Sequence, residues 1–252
     1  MKKFLITSIG RTGTKSVQKY LDAIPGVLCF HHKVGRKDVP FLFLSQIEEY
    51  SNITSAYLEE RTKEAETCKE EYYIEVNPYL RFADPKVLKQ LGWEKLFLVR
   101  HPKTYLESVF IRELFSEYDN SLHQMPSNED PFSEKWTEAT RFQKLCWYYA
   151  YTHEYIEKSG NKYYRYEDVV EKKQVLEDFL DHIGISKKAS ENTPLPKLNT
   201  TGTYKMRRSM RALLDGKWPD ITPLDWSKLS EEELGTYREL CLPIAEKLGY
   251  VL

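Results

Sequence analysis

The segment Ser8-Ile9-Gly10-Arg11-Thr12-Gly13-Thr14-Lys15-Ser16 has the composition of an anion cradle. Glycines let a turn close tightly and aim several backbone N–H groups at one point. Arg11 and Lys15 add formal charge, and Thr12, Thr14 and Ser16 add hydroxyl donors. Phosphate binding is the reading favoured over a plain glycine turn carrying surface cations. A second candidate is Leu96-Phe97-Leu98-Val99-Arg100-His101-Pro102, followed by Ser108. An Arg ending a buried strand can grip a phosphate through two N–H groups, and a Ser on the next helix can donate a third. For proton transfer the candidates are His31-His32 and Glu75. Imidazole titrates near neutrality and suits general base work, whereas Glu75 is either a rival base or a loop tether.

These residues need a scaffold, and the periodicity supplies one. Lys3 to Ser8 reads as a strand, and Val17, Tyr20, Leu21 and Ile24 form the apolar face of a helix ended by Pro25-Gly26. Val27 to Phe30, Tyr72 to Val76, Lys95 to Val99 and Lys162 to Tyr166 read as further strands. Pro102 suits the first position of the helix carrying Ser108. Ser116 to Lys135, with Pro126 and Pro131, reads as a long loop or lid, extending to about 138. Helices follow around Phe142 to His153 and Val175 to Ile183, and the last carries Leu234 to Leu248. Residues from about 186 to 223 read as an irregular basic segment. The alternation implies one α/β domain over 1–252, a mostly parallel sheet flanked by helices. Ligands bind such open sheets outside the carboxyl ends of their strands.

Composition narrows the function. Hydrophobic residues make up 41% and charged residues 30% of 252 positions, enough for a core and unlike a disordered chain. A net charge of −1 argues against bulk nucleic-acid binding. The four cysteines lack a CxxC pair, which implies reduced thiols in a cytoplasmic protein without a zinc site. No apolar run is long enough to span a bilayer.

Taken together, the motifs resemble the sulfotransferases that use 3′-phosphoadenosine-5′-phosphosulfate. That family's 5′-phosphosulfate loop reads roughly [KR]-[ST]-G-T-[TS], and Arg11-Thr12-Gly13-Thr14 matches it, with Lys15 in place of the usual hydroxyl and Ser16 next. Its 3′-phosphate motif matches Arg100, Pro102 and Ser108. Its YED element is similar to Tyr166-Glu167-Asp168 before Ile183-Gly184, and its last helix to the one ending Leu248-Gly249-Tyr250. The resemblance implies a P-loop NTPase-like fold and that phosphosulfate donor as cosubstrate, with no metal. It implies a small-molecule or glycan acceptor and Arg11 on the bridging oxygen. Tyr166 would lie by the adenine, while Arg207 and Arg208 would belong to a late basic loop over the 3′-phosphate, here without the family's Arg-Lys-Gly signature. The family's base is a Glu or His shortly after the second strand. Here His31-His32 stands there, with His32 where a carboxylate is common, and Glu75 remains the rival.

Two other functions fit parts of the pattern. A kinase P-loop, GxxxxGK[ST], would use Lys15-Ser16 with ATP and magnesium, but Ile9 and Thr14 occupy its glycine positions. A noncatalytic nucleotide-binding module would keep the fold and lack the base.

Overall fold

β1, Lys2–Ser8, is buried from Phe4 onward on both faces, as expected of a central parallel strand. This computed structural model describes residues 1–33, 39–112, 114–117, 119, 121–186, 195–196 and 222–251. β1 leads through a turn into α1, Thr14–Asp22, then β2, Val27–His31. After α2, Val39–Ser45, and α3, Thr54–Thr67, come β3, Tyr72–Val76, and α4, Pro85–Gln90. β4, Trp93–Val99, precedes α5, Pro102–Phe110, with Pro102 in the first turn as expected. α6, Arg141–Lys158, leads to β5, Tyr163–Arg165, then α7, Tyr166–Glu171, and α8, Lys173–Ile183.

The five strands form one sheet in the order β2-β3-β1-β4-β5, and every pairing is parallel. The fold is therefore α/β and P-loop NTPase-like, with the strand that feeds the glycine turn at its centre. One face carries Phe4, Ile6, Cys29, Ile74, Val76, Leu96 and Leu98 against α1 and α8. The other carries Leu5, Tyr73 and Trp93 against α3, through Tyr57, Leu58 and Ala65. Each fully buried aliphatic side chain contributes about 1.5–3 kcal/mol on leaving water.

Three helices differ from the expectation: α2, α3 and α4 lie where the sequence shows no apolar period. In α3 the buried face includes Thr54, Arg61 and Thr62, so polar residues interrupt the stripe. Tyr166 also moves, since the strand expected through it stops at Arg165 and Tyr166 opens α7.

The described residues fall into two compact units. The first comprises Met1–Arg100, Ser121–Gln124 and Tyr155–Pro196; the second the described parts of His101–Asn120, Met125–Glu154 and Lys197–Leu252. In the second, the expected long loop contains a 3-10 turn, Pro131–Lys135, capped by the Asp130 carboxylate. Its final helix is broken by a π turn, Tyr237–Cys241, between α9, Glu231–Thr236, and α10, Leu242–Lys247. Cys29, Cys146 and Cys241 are buried free thiols, and Cys68 is half-buried. No described helix is long and apolar enough to cross a membrane.

Candidate functional site

The turn between β1 and α1 takes a backbone that few residues adopt. Gly10, Arg11 and Gly13 have φ of 90°, 56° and 67°. Left-handed residues in succession turn their N–H groups toward a common concavity, and the start of α1 adds its dipole. Arg11 is the strained member, because a side chain there carries a cost that glycine avoids. Arg100, just past β4, donates from Nη1 to the Arg11 carbonyl and lies 3.9 Å from the Glu167 carboxylate. The two arginines expected to face phosphates are thus joined at the carboxyl edge of the sheet.

Gly13 is required for space as well as conformation. A Cβ there would sit 2.0–2.5 Å from Cε2, Cζ and Oη of Tyr166. Tyr166 is hydrogen-bonded to the Ser16 side chain, and burial outweighs that bond and the nearby Arg100 to raise its phenol pKa. Thr14 and Ser16 are buried in the first turn of α1, and the Thr12 hydroxyl is buried with no hydrogen-bond partner among the described residues. Three left-handed residues, two cations, an orphaned hydroxyl and a ring-packed glycine are a donor set that fits an anionic phosphoryl or sulfuryl group.

β2 delivers the histidines beside this turn. His31 Nε2 lies 3.1 Å from Thr14 Oγ1, and the His31 and His32 rings are 4.2 Å apart. The His32 ring also meets Tyr79 edge-on at 5.8 Å. Burial, then the neighbouring His32 and Lys15, push His31 down to about 3. Burial also lowers His32, against a backbone hydrogen bond that raises it. Both rings are therefore neutral at pH 7.

Glu75 behaves differently. It is fully buried, and its Oε1 accepts from Tyr57 Oη at 2.6 Å, Asn77 Nδ2 at 3.0 Å and the Lys33 backbone N–H at 3.2 Å. Its Oε2 is buried with no partner among the described residues. Burial raises its pKa despite the three donors. Sequence reasoning missed Tyr57, which sits on the unforeseen α3. Asn77 was legible only as the residue after the strand.

Of the other expected site residues, Ser108 is buried on α5 within the second unit. Arg207 and Arg208 lie outside the described residues. Among the described residues no cluster of His, Cys, Asp and Glu could hold a metal ion.

No protein-family model matches the sequence, and no curated protein matches it. Solved structures similar to the chain include three sulfotransferases. Mouse sulfotransferase SULT7A1 complexed with PAP shares 13% identity over 97% of this chain and 85% of that one, at a TM-score of 0.44. A sulfotransferase from Alicyclobacillus acidocaldarius shares 14% over 85% and 92%, at 0.45. The sulfotransferase domain from the curacin biosynthetic pathway shares 14% over 100% and 98%, at 0.47.

Proposed function

We propose that this chain is a sulfotransferase that moves a sulfuryl group from 3′-phosphoadenosine-5′-phosphosulfate to a hydroxyl or amine of a small-molecule or glycan acceptor. The observation that carries the reading is the left-handed Gly10–Gly13 turn, with Arg11 in it and Arg100 braced against it. When bound, the donor would supply a sulfuryl group on a phosphate leaving group. Arg11 and the backbone N–H groups of Thr12 to Lys15 would hold the 5′-phosphosulfate and offset charge building on the bridging oxygen. Lys15 would add charge to the same end. Arg100 would take the 3′-phosphate, and Tyr166 would border the adenine.

His32 is the proposed proton acceptor, and His31 its neighbour. Efficient general bases titrate near the working pH. His31 is driven far below that and its Nε2 is engaged by Thr14. Acceptor recognition is assigned to the Ser116–Lys135 segment. Ser127, Asp130, Phe132 and Lys135 of this segment help line a groove of about 1020 Å³ that also includes Trp147 and Tyr151.

Binding measurements test the reading. Adenosine 3′,5′-bisphosphate should raise the melting temperature in EDTA, and ATP with magnesium should not. The reverse result would make Lys15-Ser16 a kinase loop. Arg100→Ala should weaken the bisphosphate roughly 10- to 100-fold, the loss of a charged hydrogen bond, and adenosine 5′-phosphate far less. Equal weakening of both would reduce Arg100 to a brace for the Arg11 carbonyl. Shortening the Ser116–Lys135 segment should alter acceptor KM and leave donor affinity intact.

A further inference from the structure

We infer that Glu75 is a positioning residue, which holds the His31-His32 turn in place through the Lys33 backbone and takes no proton from the acceptor. For its activity readout the inference rests on the function proposed above. Side chains alternate across a strand. On β3, Ile74 and Val76 join the core facing α1, whereas Tyr73 joins the core facing α3. Glu75 shares the Tyr73 face and bonds Tyr57 of α3. On β2, Cys29 belongs to the α1 face and Phe30 to the α3 face, so His31 shares the face of α1, where it meets Thr14. The carboxylate and the His31 imidazole therefore lie on opposite faces of one sheet, and only the imidazole faces the anion turn.

What Glu75 does reach is the chain just after the histidines. His32 has φ of 38°, a conformation that a bulky residue adopts only when its surroundings impose it. Two backbone bonds impose it here. His32 N–H donates to the Val76 carbonyl at 3.2 Å, and Lys33 N–H donates to Glu75. Lys33 is fixed again by its side chain, which pairs with Glu64 and lies over the Phe30 ring. Arg61 holds Glu64 from the next turn of α3 at 2.8 Å. Three donors converge on one oxygen of Glu75, and its second oxygen contacts no proton donor or acceptor among the described residues. A base must reach a substrate proton directly or through one water, and this carboxylate is fully enclosed.

The two roles rank conservative variants in opposite orders. Glu75→Gln keeps an oxygen able to accept from Lys33 but cannot act as a base. Glu75→Asp keeps a carboxylate but draws it back from Lys33 by one methylene. Positioning predicts that Glu75→Gln stays within about 3-fold of wild-type turnover with its neutral-pH limb unmoved, and that Glu75→Asp falls at least 10-fold. In the free protein, the imidazole NMR signals of His31 and His32 should shift in Glu75→Asp and stay in place in Glu75→Gln. An inactive Glu75→Gln beside an active Glu75→Asp, with unmoved imidazole signals in both, would overturn the inference. If the wild type sulfonates no acceptor, the proposed function fails, yet the imidazole signals still decide whether Glu75 positions the turn.

Discussion

At the carboxyl edge of the sheet, the α1 face and the α3 face solve opposite problems. The α1 face gathers a left-handed turn, the linked Arg11 and Arg100, a buried Thr12 hydroxyl without a partner among the described residues, and the His31 imidazole. The α3 face encloses the Glu75 carboxylate, with Tyr57, Asn77 and the Lys33 N–H all on Oε1. Burying an ionisable group without partners is costly, so a buried carboxylate surrounded by donors belongs to the architecture. A left-handed turn beside a buried hydroxyl with no partner among the described residues suits binding. The difference shows that a titratable residue's role follows from the face it occupies, not from its distance along the chain to a motif.

The contrast breaks most visibly in turnover. His32→Ala should lower the turnover number by on the order of 10²–10⁴, the usual loss of general base catalysis, with bisphosphate affinity unchanged. His31→Ala should cost much less turnover. Steady-state kinetics with a confirmed acceptor reads both, and equal large losses would make the pair act as a unit. Next in size is Gly13→Ala. A left-handed side chain costs roughly 1–2 kcal/mol, and overpacking against the Tyr166 ring costs about 1–3 kcal/mol more. Denaturant unfolding should show the combined loss, and in a Tyr166→Ala background the same Gly13→Ala change should cost only the left-handed part. No cost at all in that background would mean that the left-handed φ of 67° is not needed.

The α1 face was largely legible in the sequence, because its signals are local. Strand, glycine turn and helix follow one another within Lys2–Asp22, and Arg100-His101-Pro102 marks the end of β4 by itself. The α3 face was not. Its helix presents Arg61 and Thr62 inward, so no apolar period announces it. Tyr57 meets Glu75 only because the chain returns after 18 residues. Whether Glu75 shares a face with His31 depends on the register of β2 on β3, where Phe30 pairs Glu75 and His31 pairs Val76. Register is a tertiary fact, so Glu75 as base and Glu75 as tether read alike in one dimension.

Proton linkage separates the faces by sign. His31 has a pKa near 3 folded and 6.5 as a free group, so between those values the unfolded chain binds the extra proton. Its contribution makes stability fall as the pH drops from about 6.5 toward 3. Glu75 is raised above 4.5 by burial, so the folded chain holds the extra proton just above that value. Its contribution makes stability fall as the pH rises through its folded pKa. Unfolding free energies across this range should show the acid loss flattened in His31→Ala. Glu75→Gln should remove a loss on the alkaline side. If His31→Ala leaves the acid slope unchanged, the imidazole is not kept neutral in the folded chain.

The smallest effect is a matter of backbone, and it divides two adjacent residues. His31 ends an extended strand, whereas His32 has φ of 38°. Glycine in a strand is less stable than alanine by roughly 0.5–1 kcal/mol, because it loses more freedom on folding. In the left-handed region alanine carries a strain of roughly 1–2 kcal/mol that glycine escapes. His31→Gly should therefore be less stable than His31→Ala, and His32→Gly more stable than His32→Ala by about 1 kcal/mol after the entropy is deducted. Each pair lacks the same imidazole, so differences in chemistry cancel and only conformation is read. Chemical denaturation of the four variants measures both orderings. The same sign at both positions would mean that Lys33 and Glu75 do not hold His32 left-handed in solution, and the tether would lose the strain it is there to sustain.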